Sequence, residues 1–457
     1  MTRIVEPWHW RSLALRDRTA SQIFMALFIE EDLATLLESP DLADPKYPQL
    51  SRFSICAGSP RKIDGTKLWS PKTGEILPFL RFLLQKPRID NSEVAHLPFT
   101  GGWLGWLGYD LAWEIEVLPY SNRDTLPFPV AYWYEPECFA VLDHLEQTLW
   151  LAASDLVQLD YLETQLTKQS PSASSVFASP VSIGFISDRL QYQNSVKQAK
   201  KYIQAGDIFQ TNLSLRFQTQ TNRDSWSIYT QLQQINPSPF ASYWRSPWGD
   251  VISCSPERLV KLTGDRVQTR PIAGTRRRGK DLKSDRALAA ELSSDTKERA
   301  EHIMLVDLER NDLGRVCKWG SVEVDELLAI ERYSHVMHLV SNVKGTLQSH
   351  CDAVDLIRGV FPGGTITGCP KVRCLEIIEE LEPVRRSLFY GSCGYLDCRG
   401  NLDLNILIRT LLYTKSKNED LARVYGQVGA GIVADSDPER EWYESLNKAE
   451  AQIKALQ

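Results

Sequence analysis

Ser253-Cys-Ser-Pro-Glu-Arg-Leu-Val-Lys-Leu-Thr-Gly-Asp-Arg-Val-Gln-Thr-Arg-Pro-Ile-Ala-Gly-Thr-Arg-Arg-Arg-Gly279 is the stretch from which the rest of the chain is read. Leu259, Val260 and Leu262 lie on one side of Thr263-Gly264-Asp265 and Val267 on the other, a pattern that predicts a β-hairpin with a tight turn. Closing the hairpin brings Glu257 beside Pro271-Ile272-Ala273-Gly274-Thr275, where a glycine lets the backbone approach a ligand closely. Arg276, Arg277 and Arg278 add positive charge. A carboxyl group there can protonate a leaving group while backbone and arginines hold an anionic substrate. An ordinary hairpin with a solvated basic turn has the same spacing, so the spacing leaves both readings open.

Outward toward the C-terminus, a helix is expected over about 297–312, with Glu298 and Glu301 on one face. His335 to Val343 alternates as a strand, with His338 in phase with Val336 and Val340. The glycine-rich 361–371 loop opens a helix over about 372–380 but lacks the GxxxxGK[ST] order of a phosphate loop. Three strands follow, Tyr390–Leu396, Leu402–Tyr413 with Arg409, and Ala422–Ala434. The last contains Gly429-Ala430-Gly431, whose bare backbone suits a carboxylate. A terminal helix from Pro438 repeats the carboxylate pair as Glu441 and Glu444, and Glu444 can also pair with Lys448 on the surface.

Toward the N-terminus, Asp188 and Gly206 bracket a helix, and Asp207–Phe217, including Gln210, alternates as a strand. Between Lys168 and Val181 the composition shifts to serine and proline. This divides the chain into a mainly β region (1–165), a linker (166–182) and a second domain (183–457). The expected fold class is α+β.

With 43% hydrophobic and 24% charged residues, the 457-residue chain has the composition of a folded protein. A net charge of -6 argues against nucleic-acid or anionic-membrane partners. Nine cysteines stand without CxxC spacing, and neither a membrane-length apolar run nor a signal core is present, so a cytoplasmic protein with reduced thiols is expected. Two helices that each present two carboxylates can share one hard cation such as Mg²⁺, and an oxygen-only site points away from zinc.

Seven motifs, taken together, resemble the chorismate-utilising enzymes over most of the chain. They are Gly206-Asp-Ile-Phe-Gln210, Ser255-Pro-Glu-Arg258, Pro271-Ile-Ala-Gly-Thr-Arg276, Glu301 to Asp312, Val336-Met-His338, Gly364 to Lys371, and Gly429-Ala-Gly-Ile-Val433 leading to Glu441 and Glu444. The resemblance implies the chorismate-binding enzyme fold, with a large antiparallel-sheet core of two packed sheets and flanking helices, chorismate as substrate and Mg²⁺ held by Glu301 and Glu444, with Glu298 and Glu441 as further or water-mediated ligands. It implies Glu257 as the acid and Thr275, Thr365, Tyr395, Arg409, Gly429, Ala430, Gly431 and Lys448 as substrate-binding residues.

Water-using members place a lysine where this chain has Gln210, so the resemblance implies ammonia as the nucleophile. Gly101 to Asp110 and Tyr390 to Tyr395 are similar to the aminodeoxychorismate synthase group, component I. Ala273 departs from it, because many of those enzymes carry a nucleophilic lysine there and anthranilate synthases carry alanine. If anthranilate is the product, His338 is the residue the family implicates in pyruvate loss. A catalytically silent chorismate-binding relative is the third reading. The chain has no Gly-x-Cys-x-Gly elbow, so a separate glutamine amidotransferase subunit, component II, is implied as the ammonia source. Ser39 with Pro239, Phe240 and Ala241 resembles the two halves of a tryptophan pocket.

Overall fold

A computed structural model describes residues 8–39, 50–61, 68–85, 92–168, 182–333, 336–416 and 419–457. Two antiparallel sheets dominate it, as expected. The larger runs β1 (His9–Ala14), β7 (Thr148–Ala153), β6 (Cys138–Asp143), β3 (Phe53–Ala57), β2 (Ala34–Glu38) and β10 (Phe240–Ser246). It continues through β11 (Gly249–Ser255), β20 (Thr410–Thr414), β21 (Ala422–Ile432), β9 (Gln210–Thr221) and β17 (Gly368–Cys369), with β8 (Gly184–Phe185) also on β9. The smaller runs β14 (Ile272–Arg277), β16 (Val336–Thr346), β13 (Arg266–Thr269), β12 (Arg258–Thr263), β19 (Leu402–Asn405), β18 (Ser392–Asp397), β4 (Gly102–Leu107) and β5 (Ala131–Tyr134), with β15 (Glu323–Arg332) on β16.

Helices flank the sheets: α1 (Ala20–Leu27), α2 (Ile76–Leu84), α3 (Ala112–Ile115), α4 (Leu156–Gln165), α5 (Arg189–Ala205) and α6 (Ser225–Ile235). After them come α7 (Leu282–Ser294), α8 (Thr296–Gly314), α9 (Ala353–Val360), α10 (Lys371–Leu381) and α11 (Pro438–Leu456). None of these is long and apolar enough to cross a membrane.

The sheets face each other through large aromatic side chains. Trp106 of β4 meets Trp244 of β10 edge to face at 6.0 Å, and both are buried. The Ser/Pro-rich 166–182 segment lies largely outside the described residues. Both sheets draw strands from either side of it: β2 pairs with β10, and β4 with β18.

Local signals explain most of the elements. Asp188 and Gln191 form a capping box at the start of α5, and Gly206 ends it in the left-handed conformation at φ 81°. The 258–269 hairpin forms as β12 and β13, paired from Lys261↔Gln268 to Thr263↔Arg266. Leu402–Tyr413, expected as one strand, is two strands in different sheets. Residues 406–409 cross between the sheets, and Arg409 sits there at φ 52°, so apolar alternation on both sides of the crossing hid the break.

Candidate active site

The cleft forms where β9 and β21 end beside β14 and β16, with α8 and α11 lying across them. Asn212 pairs with Gly431 and Ser214 with Gly429. A side chain at position 431 would stand 2.6 Å from Gln210 Nε2 and 3.2 Å from Glu301 Oε1, so its absence lets those two groups meet the backbone. Gln210 Nε2 donates to Glu301 Oε1 at 3.1 Å, while Gln210 Oε1 and Asn212 Oδ1 are buried without a hydrogen-bond partner. Gly429 and Gly431 border the cleft with their backbone. The Ala430 side chain turns away into an apolar cluster with Tyr192, Val196 and Trp442, so only its backbone can serve the cleft.

Gly274 is a bulge in β14, where the register shifts between Ala273↔Leu339 and Thr275↔His338. Its φ of 67° is one that side chains resist, and a Cβ would come within 3.0 Å of Glu298 Oε2. The bulge therefore turns Thr275 toward His338, and the Thr275 hydroxyl and His338 Nδ1 share a hydrogen bond at 3.0 Å. His338 is buried, and burial together with the neighbouring Arg409 lowers its pKa to about 4, so the ring is neutral at physiological pH. Among the described residues the Arg409 guanidinium makes no hydrogen bond or ion pair, and burial lowers its pKa while Tyr390 opposes that shift. Tyr390, with its hydroxyl 2.9 Å from the position of a Cβ on Gly429, was not identified from the sequence.

Glu257 lies in the link from β11 to β12 and is only 5% exposed. Burial pushes its carboxyl up to about 8, and the charge of Glu309 acts in the same direction. The Ile272 N–H and the Thr365 hydroxyl oppose that rise. The Thr365 hydroxyl is buried and forms no hydrogen bond of standard geometry, so its hold on Glu257 is loose. As the hairpin predicts, Glu257 lies against the 271–275 strand entrance.

Glu298 and Glu301 on α8 face the same space as Glu441 and Glu444 on α11. Burial raises Glu301, and Glu298 and Glu444 add to the rise. Burial also raises Glu441, again with a contribution from Glu444. Glu444 is half exposed, and although burial would raise it, Lys448 and Lys297 bring it below the usual value. Lys448 Nζ pairs with Glu444 Oε1 at 2.9 Å, the pairing anticipated from the sequence, and also donates to the Gly429 carbonyl at 3.0 Å. Glu298 pairs with Arg276 at 3.3 Å.

Among the described residues no three His, Cys, Asp or Glu side chains stand close enough to share one ion. The donor chemistry still fits a hard divalent cation. These are oxygen donors: the charges of Glu298 and Glu444 raise Glu301, that of Glu444 raises Glu441, and a doubly positive ion relieves that repulsion.

Tyr395 is not brought to the cleft. It packs against Phe99 at 5.6 Å and lines a separate cavity of about 100 Å³. Strand alternation on β18 explains the separation: Cys393 and Tyr395 both point to the second cavity. Ser39, Pro239, Phe240 and Ala241 all line that cavity, together with Arg258, Lys261 and Asp403. The Ser39 hydroxyl bonds the Leu50 carbonyl at 2.9 Å and also meets the Pro239 carbonyl.

The chain matches the chorismate binding enzyme family over residues 37–454. It is 63% identical over 458 residues to the anthranilate synthase component I-like protein of Synechocystis sp., covering 99% of this chain and 93% of that one. It is 47% identical over 372 residues to aminodeoxychorismate synthase component 1 of Bacillus subtilis, covering 79% and 77%. The crystal structure of anthranilate synthase component I from Streptococcus pneumoniae superposes with a TM-score of 0.76 at 32% identity, covering 88% of this chain and 92% of that one.

Proposed function

This chain belongs to the chorismate binding enzymes, and we propose that within them it is component I of an aminodeoxychorismate synthase, replacing the C4 hydroxyl of chorismate by ammonia. The reading rests on one observation: Glu257, a carboxyl kept protonated near neutral pH, lies in a cleft with an arginine, Arg409, that makes no ion pair among the described residues. A protonated acid serves a departing hydroxyl, and an unpaired guanidinium serves a carboxylate.

Arg409 and the Gly429–Gly431 backbone receive one carboxylate of chorismate. Glu301 and Glu444, with Glu298 and Glu441 as further or water-mediated ligands, would hold a Mg²⁺ ion, which when bound supplies charge neutralisation for the other carboxylate. Glu257 gives its proton to the C4 oxygen, which leaves as water. The unpartnered Gln210 Oε1 accepts an ammonia N–H and orients the lone pair toward the ring. A new C–N bond forms, the adduct loses one proton, and chorismate with ammonia becomes 4-amino-4-deoxychorismate and water. Ammonia would come from a glutamine amidotransferase subunit.

A specific observation favours a second reading, anthranilate synthase component I. Position 273 is alanine, and neutral His338 is held by Thr275 in the cleft, where it can serve the loss of pyruvate. Incubating the chain with chorismate, Mg²⁺ and an ammonium salt separates the two. Product that yields 4-aminobenzoate only on addition of a lyase supports the proposal, and directly fluorescent anthranilate supports the second reading.

A further inference from the structure

Glu309, two turns beyond the cleft carboxylates on α8, is buried and takes no part in the scheme above. Helical geometry places it about 12 Å along the axis from Glu301. At that end α8 presses on the turn that holds Thr365: a side chain at Gly364 would stand 2.3 Å from Leu308 Cδ2. The Thr269 hydroxyl lies beside Glu309 and the Ile272 N–H lies beside Glu257, so one short stretch of chain runs past both carboxyls. Asp312 flanks Glu309 and is paired with Lys371 at 2.6 Å, and Lys371 also donates to the Val360 carbonyl at 2.9 Å.

We propose that Glu309 is a positioning residue that keeps the proton on Glu257, because a negative charge buried near Glu257 opposes formation of a second one. The inference rests on Glu257 being the proton donor. The groups facing the pair are Thr365, Ile272, Thr269, Asp312 and Lys371, and of these only Lys371 is positive, its charge taken up by Asp312. Burial and Asp312 raise the Glu309 carboxyl to about 7 and Lys371 opposes the rise, so Glu309 and Glu257 lose their protons as a coupled pair.

The test compares pH profiles of kcat/KM for the full chain with chorismate, Mg²⁺ and an ammonium salt in the wild type, Glu309→Gln, Glu309→Met, Glu309→Asp and Glu257→Gln. In the Gln and Met variants the alkaline limb is expected to move down by about one pH unit, about a fivefold loss at the old inflection and about tenfold well above it, with KM for chorismate little changed. Glu309→Asp, which keeps the charge, is expected to restore the limb. A limb that stays in place in folded Gln and Met variants, while Glu257→Gln is inert, overturns the role of Glu309 and leaves that of Glu257 standing. Full activity in Glu257→Gln overturns the reading beneath both. Failure of Gln and Met variants alike to fold overturns the proposal in favour of a structural role.

Discussion

Gln210 Nε2 donates to Glu301 Oε1 across 3.1 Å, joining the start of β9 to the first half of α8. The bond fixes the orientation of a carboxylate that burial and two neighbouring carboxylates push toward its protonated form.

Gln210→Ala is therefore expected to loosen Glu301 and raise the Mg²⁺ concentration needed for half-maximal activity by about 10-fold or more, the usual cost of losing a group that orients a metal ligand. Activity measured across a Mg²⁺ titration checks this. An unchanged midpoint contradicts it.

Glu257→Gln is expected to lower kcat by about 10²–10⁴-fold and leave chorismate binding intact by calorimetry. The same residue makes stability depend on pH. Its folded pKa, about 8, lies above the value in the unfolded chain, so its stabilising contribution is complete below the unfolded value and is lost as pH rises to about 8. The Tm of Glu257→Gln should match wild type near pH 4 and exceed it by a few degrees above pH 8. A constant difference across that window speaks against a buried neutral carboxyl.

His338 has the opposite sign. Its folded pKa, about 4, lies below the unfolded value, so stability is complete above the unfolded value and is lost as pH falls toward 4. In His338→Gln the fall of Tm between pH 7 and pH 4.5 should be smaller than in wild type, as measured by thermal unfolding. An identical fall would show that the ring charges without cost.

Much of the cleft was legible because its signals are local. Gly206 stops α5, Gly274 makes the bulge beside Thr275, and the carboxylates of α8 and α11 recur at helical spacing. Features made by the path of the chain were not legible. The crossing at 406–409 gives no break in apolar alternation, although a residue in the left-handed region, Arg409, marks it. Glu309 reads as one more acid in a charged helix, and only the packing of α8 on the 364–365 turn shows that it is buried. Tyr395 was assigned to the cleft by its motif, yet strand alternation turns it to the other cavity.

That cavity carries its own prediction. Ser39→Phe, which puts a ring where the hydroxyl meets the Leu50 and Pro239 carbonyls, is expected to abolish calorimetric binding of tryptophan while leaving chorismate turnover within about 2-fold. Equal tryptophan binding in both proteins removes the pocket assignment.

The most direct measurement of the central claim is the product formed by the isolated chain from chorismate, Mg²⁺ and ammonium, followed by mass spectrometry. A species in which the hydroxyl is replaced by an amino group and the enolpyruvyl side chain is retained, absent with Glu257→Gln, is the predicted result. Release of pyruvate with anthranilate, or no consumption of chorismate by the wild-type chain, would contradict it.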